Sequence, residues 1–495
     1  MTGKNDRHDV FKKSAFVAVV VALGGVSRAG AAEGGARKPN IVYVLTDQWR
    51  AKATGYDGDV NVKTPNLDRL ARESVNFRNA VSVCPVCTPH RAALMTGRFP
   101  LSTGMFVNDL YLPSDELCMA EIFKSAGYDT AYIGKWHLDG HGRTDFIPPE
   151  RRQGWDCWKG AECDHNYNKS HYYEGNSPDK KFWPGYDAYA QTKDAQQYLQ
   201  DRARSDRPFI LMVAYGTPHF PHQTAPAELK ELYPPEKIIL PPNVPPALEA
   251  AARKEAQGYY AHCTALDRCV GDLLTTLFAT GLDSNTVFIF TSDHGEMLGS
   301  HGRRPFLKQA AWDESARVPF LLRMPGAPAR TVATPLTTPD VLPTLLGLAG
   351  LGKPGTLEGV DLSATVRGGP EMDHAALYMA VDPFSVKAVG QPYRAVRTAT
   401  YTFVRYQGAS PMLFDDVKDP FQMENLAGIP EFAAVQRDME MRLDAELKRV
   451  HDDFPTPEAA LKRWTLDLRP DVSAPYSEKA GEVRKIYSPK RGEER

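Results

Sequence analysis

The sequence predicts an α/β fold: a large, mostly parallel central sheet sandwiched by helices, followed by a smaller C-terminal α+β unit. Three observations carry this. Short apolar runs without polar alternation recur from Pro39 onward, helical patterns lie between them, and near residue 370 the pattern changes to alternating strands. Strands buried on both faces read as unbroken apolar runs, and strand–helix–strand repetition builds a doubly wound sheet.

The runs are Ile41–Leu45, Thr130–Ile133, Phe209–Val213 and Val287–Phe290, all β-branched or aromatic in character. Helical patterns cover 64–73 and 256–277. Further on, Tyr393–Thr398 and Tyr401–Tyr406 alternate across a short turn, as antiparallel strands do, and 433–450 reads as an amphipathic helix. This gives a main domain over 38–370 and a C-terminal subdomain over 371–495, with an antiparallel sheet, a helix and a tail.

Residues 1–32 stand apart from the fold. Lys12-Lys13 precede an apolar run, Ala15–Leu23, and Ala29-Gly-Ala31 offers small residues for cleavage. That is the layout of a secretory signal, and the run is well short of the ~20 residues that span a bilayer. The expected location is periplasmic or extracellular, with no membrane attachment after cleavage. With 59 Lys+Arg against 61 Asp+Glu among 495 residues, the net charge of -2 argues against a nucleic-acid partner. In an exported protein the seven cysteines (84, 87, 118, 157, 163, 263 and 269) imply at least one unpaired thiol and up to three disulfides.

Open parallel sheets bind ligands at the carboxyl ends of their strands. Asp47 and Gln48 follow the first run, Lys135 and His137 the second, His219 the third, and Asp293, His294 and Glu296 the fourth. A lone Asp there is usually a cap, and a lone His is usually a hydrogen-bonded core residue. Their convergence on one sheet edge argues for a site. Two Asp, one amide oxygen and one imidazole suit a hard or borderline divalent cation better than a thiolate zinc site.

The most informative segment is Cys87-Thr-Pro-His-Arg91-Ala-Ala-Leu-Met-Thr96-Gly97. Good helix formers follow a proline-containing entry, which places Cys87 just ahead of a helix N-terminus, where free N–H groups favour an anion. Taken alone, such a thiol reads as a low-pKa nucleophile.

This segment closely resembles the signature of type I sulfatases, C-x-P-S-R followed by T-G, with His90 in place of the usual Ser. Other motifs of that family match in order: Pro39-Asn-Ile-Val to Thr46-Asp47-Gln48, Gly134-Lys-Trp-His-Leu138, Thr291-Ser-Asp293-His294-Gly295, Glu314-Ser-Ala-Arg-Val-Pro319 and Asp340-Val-Leu-Pro-Thr344. Leu413-Phe-Asp-Asp, Lys418-Asp-Pro420 and Asn425-Leu426 extend the match into the C-terminal unit, so the resemblance spans about 38–427. It implies an alkaline phosphatase-like fold and hydrolysis of a sulfate ester.

The resemblance also implies roles. Cys87 is converted to formylglycine by a maturation enzyme. Asp47, Gln48, Asp293 and His294, with residue 87, hold a divalent cation, calcium first, with magnesium or manganese as alternatives. One hydroxyl of the hydrated aldehyde attacks sulfur, Lys135 and Lys308 neutralise the sulfate oxygens, and His219 protonates the leaving alcohol. His137 then takes a proton from the second hydroxyl, which expels sulfate, while Arg91 orients the diol. The runner-up activities are phosphonate monoester hydrolase or phosphodiesterase of the same superfamily, a general arylsulfatase, and a non-enzymatic carbohydrate-binding relative. An insertion over 150–187 is rich in Trp, Tyr, His and Asn. Such side chains suit sugar rings and point to a sulfated glycan; the alternative is that they pack the loop. Arg303 and Arg304 read as a solvated loop.

Overall fold

The computed structural model describes residues 37–384, 386–464 and 466; the expected signal segment lies outside the described residues. Four strands form the centre of a ten-stranded sheet: β1 (Asn40–Asp47), β2 (Asp129–Lys135), β3 (Phe209–Pro218) and β4 (Thr286–Ser292). In space they run β4-β1-β3-β2, all parallel, with Cys157–Ala161 parallel beyond β2. Antiparallel strands flank this parallel centre on both sides: Phe320–Arg323 next to β4, and His171–Glu174 on the far side.

Why the apolar runs show no alternation is visible in the packing. Along β1, Ile41, Tyr43 and Leu45 enter one core while Val42 and Val44 enter another on the opposite face. β3 divides in the same way, with Ile210 and Met212 on one side and Leu211 and Val213 on the other. Each such side chain contributes about 1.5–3 kcal/mol of burial.

The helix expected over 256–277 runs from Glu249 to Thr280, because Ala250–Ala252 and Lys254 are strong helix formers ahead of the periodic stretch. It ends at Gly281, whose φ of 72° suits a left-handed cap. A separate four-stranded antiparallel sheet follows: Ala376–Ala380, Tyr393–Arg397, Tyr401–Tyr406 and Met412–Asp415. Helix Ala433–Arg449 packs on it through Met439, Leu443 and Leu447. Arg397 joins this sheet to the main body through an ion pair with Asp313, and from Lys38 onward the fold is one unit. Among the described residues no helix is long and apolar enough to cross a membrane.

The cysteines correct the expectation of disulfides: all seven are free, and six are buried. Cys84 and Cys118 lie in one core, while Cys263 and Cys269 lie in the core on the opposite face of the sheet. Packing has distributed them as small hydrophobes.

Gly134 sits one residue before the end of β2 with φ 111°, and a Cβ there would lie 2.1 Å from the Ala214 carbonyl oxygen on β3. Gly127 also has positive φ, at 87°, but nothing would lie within 4 Å of its Cβ. In urea unfolding, Gly134→Ala should lose about 2–4 kcal/mol and Gly127→Ala about 1 kcal/mol. Equal losses would show that the close β2–β3 approach is not what requires glycine.

Candidate active site

Strand ends and one helix N-terminus meet at Cys87. β1 delivers Asp47 and then turns at Gln48, whose φ of 70° is unusual for a residue with a side chain. That turn is held by the Gln48 N–H, which donates to Asp293 Oδ1 at 3.0 Å. β2 ends on Lys135, and β4 ends one residue before Asp293. Helix α1 (Cys87–Thr96) begins at Cys87 itself, so the cysteine is the first helical residue, and Arg91 lies one turn further on.

The Cys87 sulfur lies 3.3 Å from His294 Nε2, 3.5 Å from Lys308 Nζ, 3.7 Å from Asp47 Oδ1 and 3.8 Å from Lys135 Nζ. Lys135 Nζ also bonds Asp47 Oδ2 at 2.6 Å. Arg91 bridges the two carboxylates, 3.3 Å from Asp47 and 3.1 Å from Asp293, and donates to the Lys135 carbonyl at 2.8 Å. All of these side chains are buried.

Burial and Asp47 push the Cys87 thiol up, but Lys135, Lys308 and His294 together hold it well below the usual thiol range. The Asp47 carboxyl is also held low: burial raises it, and Lys135, His219, Arg91 and His294 outweigh that. Asp293 goes the other way, pushed up to about 6 by burial and by Asp47 beside it. One more positive charge placed here would hold Asp293 ionised to lower pH beside Asp47.

The donor set fits a divalent cation. Ligand atoms of Asp47, Cys87, Asp293 and His294 lie within 4.8 Å of one another. His294 Nδ1 donates to the Gly295 carbonyl at 2.9 Å, which leaves the Nε2 lone pair facing the carboxylates. Gln48 Nε2 donates to Glu296, so its Oε1 faces Lys308 at 3.1 Å. Oxygen donors outnumber nitrogen, as hard cations require.

Two histidines stand outside this cluster. His219 Nε2 accepts from Lys308 Nζ at 3.0 Å, and its Nδ1 donates to the Phe220 carbonyl at 2.7 Å. Burial and Lys308 hold His219 well below its ordinary pKa. His137 bonds Asp109 at 2.8 Å, and Arg143 clamps the same carboxylate at 2.9 and 2.8 Å. Burial lowers the His137 pKa, but Cys163 and Asp109 raise it further, to about 9. Thus the structure brings Asp47, Gln48, Arg91, Lys135, Lys308, Asp293 and His294 together around Cys87. His219 joins through Lys308, and His137 joins only through its backbone carbonyl, which accepts from Thr88.

The family model named Sulfatase matches residues 39–351, more than half of the chain. The chain belongs to the sulfatase family. A second model, N-sulphoglucosamine sulphohydrolase C-terminal, matches 299–449. An ulvan-active sulfatase of Formosa agariphila is 52% identical over 457 residues, 91% of this chain and 89% of that one. A solved sulfatase-fold structure associated with glycosaminoglycan metabolism by Bacteroides thetaiotaomicron superposes with a TM-score of 0.77 at 30% identity, covering 86% of this chain and 99% of the other. The phosphonate monoester hydrolase of Agrobacterium radiobacter shares the fold, with a TM-score of 0.67 at 23% identity over 83% of this chain and 96% of its own. As a member of the sulfatase family this chain is a sulfuric ester hydrolase.

Two residues of this sulfatase's site, Asp109 and Arg143, were not among those expected from sequence. Asp109 and Arg143 anchor His137, and Glu296 orients Gln48. Nothing periodic marks Asp109, which lies in an irregular stretch at φ 60°. The insertion aromatics mostly pack: Trp155, Trp158, Tyr167, Tyr173 and Trp183 are buried, and Trp158 stacks on Tyr132 with centroids 5.2 Å apart. His165 is the exception, stacked on His219 at 4.5 Å. His90 finds its partners in Ser82 and Thr338, at 3.0 and 3.1 Å, outside the carboxylate cluster.

The His137–Asp109 pair has a signed pH dependence. The folded pKa of about 9 lies above the unfolded value near 6.5, so the pair's stabilisation is complete below about pH 6.5 and is lost as pH rises through 9. Asp109→Asn should cost about 3 kcal/mol in denaturant unfolding at pH 6, with the gap to wild type narrowing at pH 9.5. A gap that does not change between the two pH values would contradict this coupling.

Proposed function

We propose that this sulfatase hydrolyses a sulfate ester of a sulfated carbohydrate, with Cys87 in its formylglycine form and a divalent cation, calcium first, beside it. The observation that carries this reading is the Cys87 sulfur at the start of a helix, enclosed by Lys135, Lys308, His294 and Asp47 within 3.8 Å. The carbohydrate class is drawn from the ulvan-active relative. In this reading residues 38–370 are the catalytic region and 371–495 the subdomain beside it. Residues 1–32 direct export to the periplasm or beyond.

Asp47, Gln48, Asp293 and His294 hold the ion, which supplies Lewis-acid charge at the sulfate. Formylglycine supplies, through its hydrate, a nucleophilic hydroxyl and a second hydroxyl for later elimination. Lys135 and Lys308 face the same point from two sides and neutralise sulfate oxygens as negative charge shifts during transfer. Arg91 keeps both carboxylates aimed at residue 87. With Lys308 drawn onto the sulfate, the His219 Nε2 that accepted from it is free to take up a proton from water and deliver it to the leaving alcohol. His137 is the base of the second half-reaction; Cys163 and Asp109 hold its imidazole protonated up to about pH 9, so it takes that part only after losing its proton.

A panel of sulfated saccharides, an aryl sulfate and an aryl phosphonate tests the substrate class. Sulfate release should be fastest from a saccharide and should vanish in Cys87→Ala, and the wild-type Cys87 peptide should carry an aldehyde by mass spectrometry. Turnover confined to the phosphonate would favour the phosphoesterase reading instead. His219→Ala should lower kcat about 10²–10⁴-fold on the saccharide but far less on the aryl sulfate, whose leaving group needs little protonation. Equal losses on both substrates would remove His219 from proton delivery.

A further inference from the structure

We propose that the cavity beside Arg303, Arg304 and Lys387 is a binding subsite for a second anionic group of the substrate, a carboxylate or sulfate carried by a sugar next to the one being desulfated. This rests on the glycan reading above and deepens it. The cavity has a volume of about 400 Å³ and is lined by Gly302, Arg303, Arg304, Leu307, Lys387 and Ala388. Its lining holds three cations and no acid, in a chain whose net charge is only -2. None of the three forms an ion pair with a described residue, whereas most cations near the active site do.

Arg303 is not the freely solvated side chain that the sequence pointed to. Its guanidinium lies 5.2 Å over the Trp312 ring, and its Nη1 donates to the Ala388 carbonyl at 2.8 Å. Trp312 is in turn stacked on His301, with centroids 4.6 Å apart and planes 11° apart. Glu314, the carboxylate paired with His301 of this stack at 3.4 Å, is also engaged by Asn243 at 2.6 Å. The Arg303 Nε is buried and has no hydrogen-bond partner among the described residues. A cation held in this way loses little freedom on meeting an anion, which favours binding.

Location completes the argument. The same loop carries Lys308, whose Nζ is 3.5 Å from the Cys87 sulfur. Arg304 precedes it by four residues, a Cα separation of at most about 14 Å. Between them Phe306 packs on Phe220 and His222, beside His219. The cavity therefore adjoins the side on which the leaving sugar is protonated. Lys135 and Lys308 are committed to the scissile sulfate, so a second anion on the same chain needs cations of its own.

The test compares wild type with Arg304→Ala/Lys387→Ala, both exposed positions whose loss the fold tolerates. Four substrates are assayed: a sulfated oligosaccharide with a neighbouring uronate and a second sulfate, the same compound with its carboxyl reduced, the same compound lacking the second sulfate, and an aryl sulfate. The double variant should lower the ratio of kcat/KM on the full oligosaccharide to kcat/KM on the aryl sulfate by about tenfold, mainly through KM. In the wild type, whichever modification removes that preference identifies the anion as carboxylate or sulfate. The Arg304→Glu single variant should lower the ratio at least as far. An unchanged ratio in both variants, with the wild type active on the glycan, overturns the subsite alone. No glycan desulfation by the wild type overturns both the subsite and the reading it rests on.

Discussion

Two carboxylates buried side by side are the constraint on which the rest of this site depends. Asp47 and Asp293 have no access to water, and a buried charge costs several kcal/mol unless it is paired and hydrogen-bonded. Lys135 and Arg91 meet that need at 2.6 to 3.3 Å. Each comes from a different element, so the carboxylates tie β1, β2, the segment after β4 and α1 to one point. Cys87 is the residue enclosed by that knot, and its position follows from charge balance as much as from helix geometry.

The balance is uneven, and the unevenness is useful. Lys135 and Arg91 both reach Asp47, while of these two cations Asp293 meets Arg91 alone, and its carboxyl is pushed up to about 6. A site so built favours a doubly charged ion over water. Residues behind these repeat the logic at lower cost. Cys163 and Asp109, the latter held by Arg143, set the charge state of His137, and Glu296, which also accepts from the Leu298 and Phe306 N–H groups at 2.9 and 2.8 Å, aims the Gln48 amide. These partners let the inner residues hold geometry without strained contacts to one another.

How much of this could be read from the sequence depends on the kind of signal. β1 to β4 announce themselves because burial on both faces forces continuous apolar runs, and the residues after each run had to face one sheet edge. Asp47, Gln48, Lys135, Asp293 and His294 were legible for that reason, Cys87 and Arg91 through the segment Cys87–Gly97, and the structure clusters them. Asp109 and Arg143 were not, since they act through His137 from irregular segments in which neither period nor propensity marks a residue. The insertion was misleading in one respect: Trp155, Trp158 and Trp183 look like a sugar platform in sequence, yet each covers apolar surface that would otherwise be wet. The cysteine count also misled, because it says nothing of which face of the sheet each thiol packs against.

The central claim is that the Asp47–Asp293 pair is built for a divalent ion beside Cys87. Calorimetric titration of calcium into the chelator-treated full-length protein tests this most directly. The account predicts one ion per chain, bound at least about tenfold more weakly once Asp293→Asn removes a ligand charge. Calcium binding of unchanged affinity in that variant, or no binding of calcium, magnesium or manganese by the wild type, would contradict it.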